Sequence, residues 1–146
     1  MDINRKAPVV ASAEGPIRAP LDLVWAVHTD IAAWAAWNPD VQSVAIDGPV
    51  RPGTQFRWKS GGATIISKIE EVEPRRRIVW TGRAVGLRAV HVWTFAGQDG
   101  GVWVRSEESF QGLIAVLFGG AMRRRLGSAL QRGVVALKKE CERRVQ

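Results

Sequence analysis

Between residues 41 and 110 the chain repeats one pattern, a short stretch of alternating apolar and polar residues followed by a turn. An alternation with a period of two indicates a strand that buries one face, and short turns join neighbouring antiparallel strands. Turns of this kind are Ser60-Gly61-Gly62 and Gln98-Asp99-Gly100-Gly101. The predicted strands of this region are residues 41–46, 54–59, 64–73, 78–84, 88–95 and 102–110.

Helical patterns flank this region on both sides. Residues 9–19 alternate as a first strand, and apolar residues then recur at helical spacing from Leu21 to His28. A second short helix is predicted at 31–37, with Asp30 as its cap and Asn38-Pro39 as its end. After Gly112 the apolar positions of a long amphipathic helix are Leu126, Leu130, Val134, Leu137 and Cys141.

The order of these elements predicts an α+β fold, with a curved antiparallel sheet of six or seven strands wrapped on the C-terminal helix. Glycines weaken a helix, so we expect a loop before Met122, and a kink or a close approach at Gly127 and Gly133. The length of 146 residues and the 46% hydrophobic content suit one domain, predicted at 9–146 after a flexible tail at 1–8.

The composition of the chain excludes several classes of protein. The single cysteine, Cys141, excludes an internal disulfide and a cysteine-cluster metal site. The polar N-terminal residues do not resemble a signal peptide, and the longest uncharged apolar run, Leu113–Met122, is too short to span a bilayer. We therefore expect a cytoplasmic protein with no metal and no cofactor, and the arginine-rich composition suggests a bacterial source.

A straight helix cannot contact a curved sheet along its whole length, so a cavity is predicted between them. Its lining should be aromatic with a few polar groups, which is typical of a small-molecule site. The predicted ligand-binding residues are Phe56, Trp58, Trp80, His91, Trp93, Val104, Ser106 and Phe110 from the sheet, and Phe118, Met122 and Leu126 from the helical segment.

The stretch from Pro20 to Pro39, PLDLVWAVHTDIAAWAAWNP, resembles the opening of START-like (SRPBCC) proteins of the polyketide cyclase/dehydrase branch. The segments Ile69–Pro74, Ile78–Gly82, His91–Phe95 and Glu107–Gly112 are similar to that branch in order and spacing. The resemblance covers residues 9–143. It implies the helix-grip fold with a cavity, but it implies no set of catalytic residues, and proteins that share a fold differ in activity.

His91 and Glu108 form the most informative titratable pair. If neighbouring strands bring both side chains to the cavity, they could act as general acid and base, which a cyclase or dehydratase needs beside a carbonyl group. The alternatives are a polar anchor for a ligand and a purely structural histidine. One strand bulge would turn Glu108 outward and Glu107 inward, so both glutamates stay open at this point.

Charge is concentrated at the C-terminal end, where residues 123–146 contain eight Lys/Arg and two Asp/Glu. A basic helix face is most often simply solvated, but it can also bind an anionic partner. The apolar run Leu113–Met122 beside Arg123-Arg124-Arg125 also has the composition of a membrane-surface segment. We prefer the interpretation that Leu117, Phe118 and Met122 close one end of the cavity.

Three functions follow from these observations. The first is the binding of a small hydrophobic or polycyclic ligand, lipid-like or polyketide-like, in the cavity. The second is a polyketide cyclase or dehydratase that uses His91 and Glu108. The third is an interaction protein whose basic C-terminal helix contacts a partner. No nucleic-acid partner is expected, and peripheral membrane contact is the alternative. We expect a monomer or a homodimer.

Overall fold

The computed structural model describes residues 1–146 and contains one seven-stranded sheet with four α-helices. The strands are β1 (Val9–Ile17), β2 (Val41–Ile46), β3 (Gln55–Ser60), β4 (Ala63–Glu73), β5 (Arg77–Ala84), β6 (Leu87–Gln98) and β7 (Gly101–Gln111). The helices are α1 (Leu21–Thr29), α2 (Trp34–Trp37), α3 (Leu113–Leu117) and α4 (Gly119–Arg144), with a 3-10 turn at Ile31–Ala33 before α2. None of the helices is long and apolar enough to cross a membrane.

All neighbouring strands are antiparallel, in the order β1-β7-β6-β5-β4-β3-β2. Consecutive hairpins account for this order from β2 to β7, and β1 then pairs with β7 along its whole length. The α+β helix-grip fold predicted from the sequence is therefore confirmed.

The sheet bends because two strand pairs change register. One shift lies between Ile69 and Glu71 where β4 pairs with β5, and the other lies between Val41 and Ser43 where β2 pairs with β3. Such bulges bend a strand and increase its twist. The half of the sheet that contains β2–β5 consequently curls away from the half that contains β1 and β7.

Helix α4 packs mainly on β1, with further contacts to β7 and α1. Its buried residues are the predicted apolar face, Leu126, Leu130, Val134, Leu137 and Cys141, together with Ala136. These side chains join inward residues of the strands in one hydrophobic core of 23 residues. The core therefore extends across the inner face of the sheet, where α1 lies over β6 and β7 and α2 lies over β2.

Two local predictions about the helices are corrected. The helix predicted at 31–37 is divided into the 3-10 turn and the four-residue α2, and the Asp30 side chain makes no cap hydrogen bond. In addition, α4 is continuous from Gly119 to Arg144 and has no loop before Met122. Alanine, leucine and arginine neighbours favour helix strongly enough to offset the glycines.

Residues 1–8 lie against the outer face of the sheet. Ile3 is buried beside Val79 and Val92, the Asn4 backbone N–H donates to Ser109 Oγ at 3.0 Å, and Arg5 Nη1 is 3.1 Å from Glu107 Oε2. These contacts cover the side of β5–β7 that faces away from α4. The flexibility of this segment stays a prediction.

Gly101 at the start of β7 is the tightest backbone contact in the sheet. A β-carbon at this position would lie 2.0 Å from the carbonyl oxygen of Ile17 on β1. We predict that Gly101→Ala lowers the free energy of unfolding by about 2 kcal/mol or more, because β1 and β7 must separate. Urea denaturation followed by tryptophan fluorescence measures this change.

Gly127→Ala is the matched control, since nothing lies within 4 Å of a β-carbon at this helical position. It should raise the free energy of unfolding by about 0.5–1 kcal/mol. Equal effects of the two substitutions would contradict the close approach of β1 and β7.

Candidate functional site

A cavity of about 300 Å³ lies between the curled half of the sheet and helices α1, α2 and α4. Fifteen of its 25 lining residues are hydrophobic, and five of the seven tryptophans of the chain contribute to the wall. The volume lies at the lower end of the range for ligand sites, about 300–1,000 Å³. The lining residues on which the site description rests are His28, Trp34, Trp37, Trp58, Ser67, Trp80, His91, Trp93, Glu108, Phe110, Leu126, Ala129 and Gly133.

The structure brings most of the predicted sheet residues into this wall. Trp58, Trp80, His91, Trp93, Glu108 and Phe110 line the cavity from β3, β5, β6 and β7, and Leu126 lines it from α4. Their strands present these side chains on one face because alternate residues point to the same side of a sheet. Period-two alternation was therefore sufficient to locate them.

Five other predicted residues lie elsewhere, which corrects their placement. Phe56 and Val104 are buried in the core, Ser106 is buried behind His91, Met122 packs on the edge of the core, and Phe118 is exposed. Phe118 does not close the cavity because α3 packs against the β5–β6 turn: the Ile114 backbone N–H donates to the Gly86 carbonyl at 3.3 Å. The segment before α4 is thus held at the end of the sheet rather than over its concave face.

Several lining residues were missed. His28 comes from the apolar stripe of α1, Ser67 faces the cavity from β4, and Ala129 and Gly133 face it from α4. The inward parity of β4 and the stripe of α1 were visible in the sequence, so these two could have been found. Ala129 could not, because its exposure depends on how α4 is rotated against the sheet.

Trp80 is at the centre of the aromatic wall. Its ring centroid is 4.7 Å from that of His91, 5.4 Å from that of Trp34 and 5.9 Å from that of His28. Trp93 continues the wall, with its ring centroid 4.5 Å from that of His28. Offset and tilted contacts of this kind stabilise aromatic clusters beyond the area they bury.

The polar part of the site is a row across β6 and β7. His91 and Glu108 are direct partners in the ladder, and Glu108 Oε2 is 3.6 Å from His91 Nδ1. On the other side of the ring, His91 Nε2 is hydrogen-bonded to Ser106 Oγ at 2.7 Å. The row therefore runs Glu108–His91–Ser106, with its Glu108 and His91 members facing the cavity.

The choice between the two adjacent glutamates is settled by this geometry. Glu108 faces the cavity, whereas Glu107 faces outward and forms ion pairs with Arg5 and Arg105. β7 has no bulge at this point, since its register with β6 is continuous from Gly101 to Gln111.

Burial controls the protonation of the site. The side chains of His91 and Glu108 are only 9% and 13% exposed. Removal from water raises the pKa of Glu108 to about 8 and lowers the pKa of His91 to about 3. The pKa of His28 is also lowered to about 3, mainly by burial and further by His91. Near neutral pH all three side chains are therefore uncharged, and Glu108 can donate a hydrogen bond.

Three buried polar atoms at the cavity have no hydrogen-bond partner within the protein. They are His28 Nδ1, His91 Nδ1 and Trp37 Nε1. The indole N–H groups of the neighbouring Trp34 and Trp58 are satisfied by the His28 carbonyl at 2.7 Å and by Ser67 Oγ at 3.1 Å. An unpaired buried polar group costs about 1–3 kcal/mol, so the three atoms mark the polar part of the wall as its least satisfied region.

One edge of the cavity contains charged residues. Asp40 lines it beside α2, and its carboxylate accepts a hydrogen bond from Arg132 Nε of α4 at 2.8 Å. Arg83 lines it at the end of β5 and has no carboxylate within ion-pair distance. The Asp40–Arg132 pair joins the α2–β2 loop to α4, and Arg83 leaves a positive charge at the rim.

The grip of the sheet on α4 and the cavity between them define a START-like helix-grip protein. The chain belongs to the polyketide cyclase/dehydrase and lipid transport family, whose model matches residues 8–142. The resemblance found in the sequence is thereby confirmed. A comparison with curated proteins gives no match.

Solved structures with the same fold include a hypothetical protein, jhp0584, from Helicobacter pylori, at a TM-score of 0.85 and 19% identity over 95% of this chain and 91% of that one. The Zhui aromatase/cyclase from Streptomyces sp. R1128 has a TM-score of 0.77 and 21% identity, covering 94% and 95%. A START superfamily protein from Mycobacterium smegmatis has a TM-score of 0.79 and 14% identity, covering 92% and 97%. At these identities the comparisons show the fold alone.

The raised pKa of Glu108 predicts how stability depends on pH. The folded protein keeps a proton on Glu108 up to about pH 8, whereas the unfolded chain loses it from about pH 4.5 upward. Between these values the contribution of Glu108 to the free energy of unfolding therefore falls as the pH rises. We predict that Glu108→Gln abolishes this contribution, so that the variant is more stable than the wild type at about pH 9.

Urea titrations between about pH 5 and pH 9 measure the difference in free energy of unfolding between the wild type and Glu108→Gln. The contributions of the other titratable groups are common to both proteins and cancel in this difference. Glu107→Gln is the control, and it should keep the decline because Glu108 is intact. Parallel pH profiles of the wild type and Glu108→Gln would contradict a buried neutral carboxyl.

Proposed function

We propose that this protein binds a small, mostly apolar molecule with at least one hydrogen-bonding group in the cavity. The observation that carries the proposal is the combination of an aromatic wall with the uncharged polar side chains of His91 and Glu108 that line the same cavity. Planar aromatic compounds suit this wall because tryptophan rings stack on flat faces. The lipid transport and aromatase/cyclase descriptions of the family and of a structural relative are consistent with such a ligand.

The uncharged state of the wall also favours this ligand class. At neutral pH, His28 and His91 are neutral because their pKa values are lowered to about 3, and Glu108 is protonated. A charged group placed against this inner wall would lose its hydration without gaining an opposite charge there, because the charged lining residues Asp40 and Arg83 lie at the edge of the cavity. Hydroxyl and carbonyl groups, by contrast, can bond to a neutral imidazole, an indole N–H and a carboxylic acid.

Filling the cavity from α4 tests binding directly. We predict that Ala129→Phe lowers the affinity for 2-naphthol by about tenfold or more, because the new ring takes up space that the ligand needs. Quenching of tryptophan fluorescence measures the binding, since five tryptophans line the wall.

Ser128→Phe is the matched control, because Ser128 is exposed on the neighbouring position of α4. It should leave the affinity within about twofold of the wild type. Naphthalene should bind about threefold to tenfold more weakly than 2-naphthol, because it lacks a hydroxyl that can bond to the Glu108 carboxyl. Equal affinities of the two α4 variants, or no quenching by 2-naphthol, anthraquinone or palmitic acid, would contradict the proposal.

The Glu108–His91–Ser106 row supports acid/base catalysis as a second candidate function. A neutral imidazole can accept a proton from the carbon beside a ligand carbonyl, and a protonated Glu108 can donate one to the carbonyl oxygen. Both residues line the cavity, and Glu108 Oε2 lies 3.6 Å from His91 Nδ1, so the two groups would lie beside a carbonyl compound bound there. This chemistry is the first step of an intramolecular aldol cyclisation or a dehydration.

Exchange of carbon-bound protons for deuterium tests this candidate. We predict that the protein accelerates deuterium exchange beside the carbonyl of 1-tetralone in D₂O, as followed by NMR. His91→Ala should abolish the acceleration while the affinity for 1-tetralone changes by no more than about tenfold. Exchange that is unaffected by His91→Ala would exclude the row as the catalyst and leave binding as the only function.

A further inference from the structure

A cluster of exposed apolar side chains lies at one end of the sheet. Eight large hydrophobic residues of the chain are exposed, and five of them are Val85, Leu113, Val116, Leu117 and Phe118, which are between 56% and 98% exposed. We call these five residues the apolar patch. Single exposed apolar residues need no explanation, but a contiguous group indicates an interaction site.

The patch is held together by the contact between α3 and the β5–β6 turn. Besides the hydrogen bond from Ile114 to Gly86, the Ile114 side chain fills the space above Gly86, which has a φ of +73°. Val85 precedes this glycine, while Leu113 and Val116 flank Ile114 on α3. The fold therefore fixes a turn and a short helix next to each other, both with apolar side chains in solvent.

Arginines surround the patch and have no acidic partners. Residues 79–90, around the β5–β6 turn, and residues 109–127, from the end of β7 to the first turns of α4, contain no aspartate or glutamate. Arg83, Arg88, Arg123, Arg124 and Arg125 are exposed, and no carboxylate lies within ion-pair distance of any of them. Elsewhere, cations of α4 are neutralised within the chain: Arg132 pairs with Asp40, and Lys138 pairs with Glu142.

The patch also adjoins the cavity. Arg83, Ala84 and Leu87 line the cavity and flank Val85 and Gly86 in the β5–β6 hairpin. Leu126, which also lines the cavity, follows Phe118 by about two helical turns. A surface that covers the patch would therefore lie next to the rim of the cavity.

We propose that the apolar patch docks the protein on an anionic lipid surface, with the rim of the cavity facing the bilayer. Apolar side chains beside a group of cations are the two features that drive peripheral binding to anionic membranes. An apolar ligand of the cavity could then pass between protein and bilayer without crossing bulk water. The docking itself needs no cavity ligand, so it can fail or succeed independently of the proposed binding function.

A second copy of the chain is a less favourable occupant. A symmetric dimer through the patch would bring the same surface of each copy together. Arg83, Arg88 and Arg123–Arg125 of one copy would then lie close to those of the other, with no acidic residue of either segment between them. Phospholipid headgroups supply the negative charge that such a dimer lacks.

Vesicle flotation tests the proposal with the unliganded protein. The probes are phosphatidylcholine vesicles with and without about 30% phosphatidylglycerol, at low and high salt. We expect binding to the anionic vesicles only, and a marked loss of binding at high salt. Removing the apolar side chains in Leu117→Ser/Phe118→Ser should reduce partitioning by about tenfold or more, because both side chains insert into the interface.

Charge variants separate electrostatic from apolar contributions. Arg124→Ser/Arg125→Ser should reduce partitioning about fivefold for each arginine removed. The matched control is Arg57→Ser/Lys59→Ser, which removes two exposed cations from the outer face of β3, and Trp103→Ser controls for the loss of an exposed apolar side chain elsewhere. Both controls should bind as the wild type does.

Three outcomes would overturn the proposal. Equal binding to neutral and anionic vesicles would show that the arginines do not contribute to docking. An equal loss of binding in the control variants would show that the docking surface is not the apolar patch. Concentration-dependent dimerisation that Leu117→Ser/Phe118→Ser abolishes, without vesicle binding by the wild type, would assign the patch to a second copy. None of these results depends on 2-naphthol binding, so the ligand-binding proposal is tested separately.

Discussion

The mismatch between a straight helix and a bent sheet is the constraint on which the rest of the structure depends. Helix α4 packs closely on β1 and β7, while the bulges in β2–β5 bend the opposite half of the sheet away from it. Side chains of α1, α2 and the sheet reduce the remaining gap but leave about 300 Å³. Because the wall buries Glu108 and His91 away from water, it also determines their protonation and thereby the chemistry that the site can support.

Much of the fold followed from periodicity alone. Alternation located the strands and their inward residues, such as Trp58, Trp80 and Trp93, because parity in a strand fixes the face of each side chain. The short helix at 31–37 and the start of α4 were less accurate, since local propensity decides helix ends only weakly. The inward glutamate could not be chosen from the sequence, because it depended on whether β7 contains a bulge.

The site was harder to predict than the fold because it depends on contacts between distant elements. Phe118 is large and apolar, which suits a residue that closes a cavity, yet the contact between Ile114 and Gly86 holds it in solvent. The unpaired atoms of His28 and Trp37 result from tertiary packing, so the periodicity of the sequence does not reveal them. The sequence could thus predict which residue types surround the cavity, but not which of their polar atoms remain unpaired or which apolar residues remain exposed.

The most direct test of this account is a crystal structure of the protein under xenon pressure, because xenon occupies stable apolar cavities without forming specific bonds. The account predicts a xenon peak between the sheet and α4, in contact with Trp80, Trp93 and Leu130. An interior with no xenon peak, in which these side chains have closed the space, would contradict the existence of the cavity and with it the proposed site.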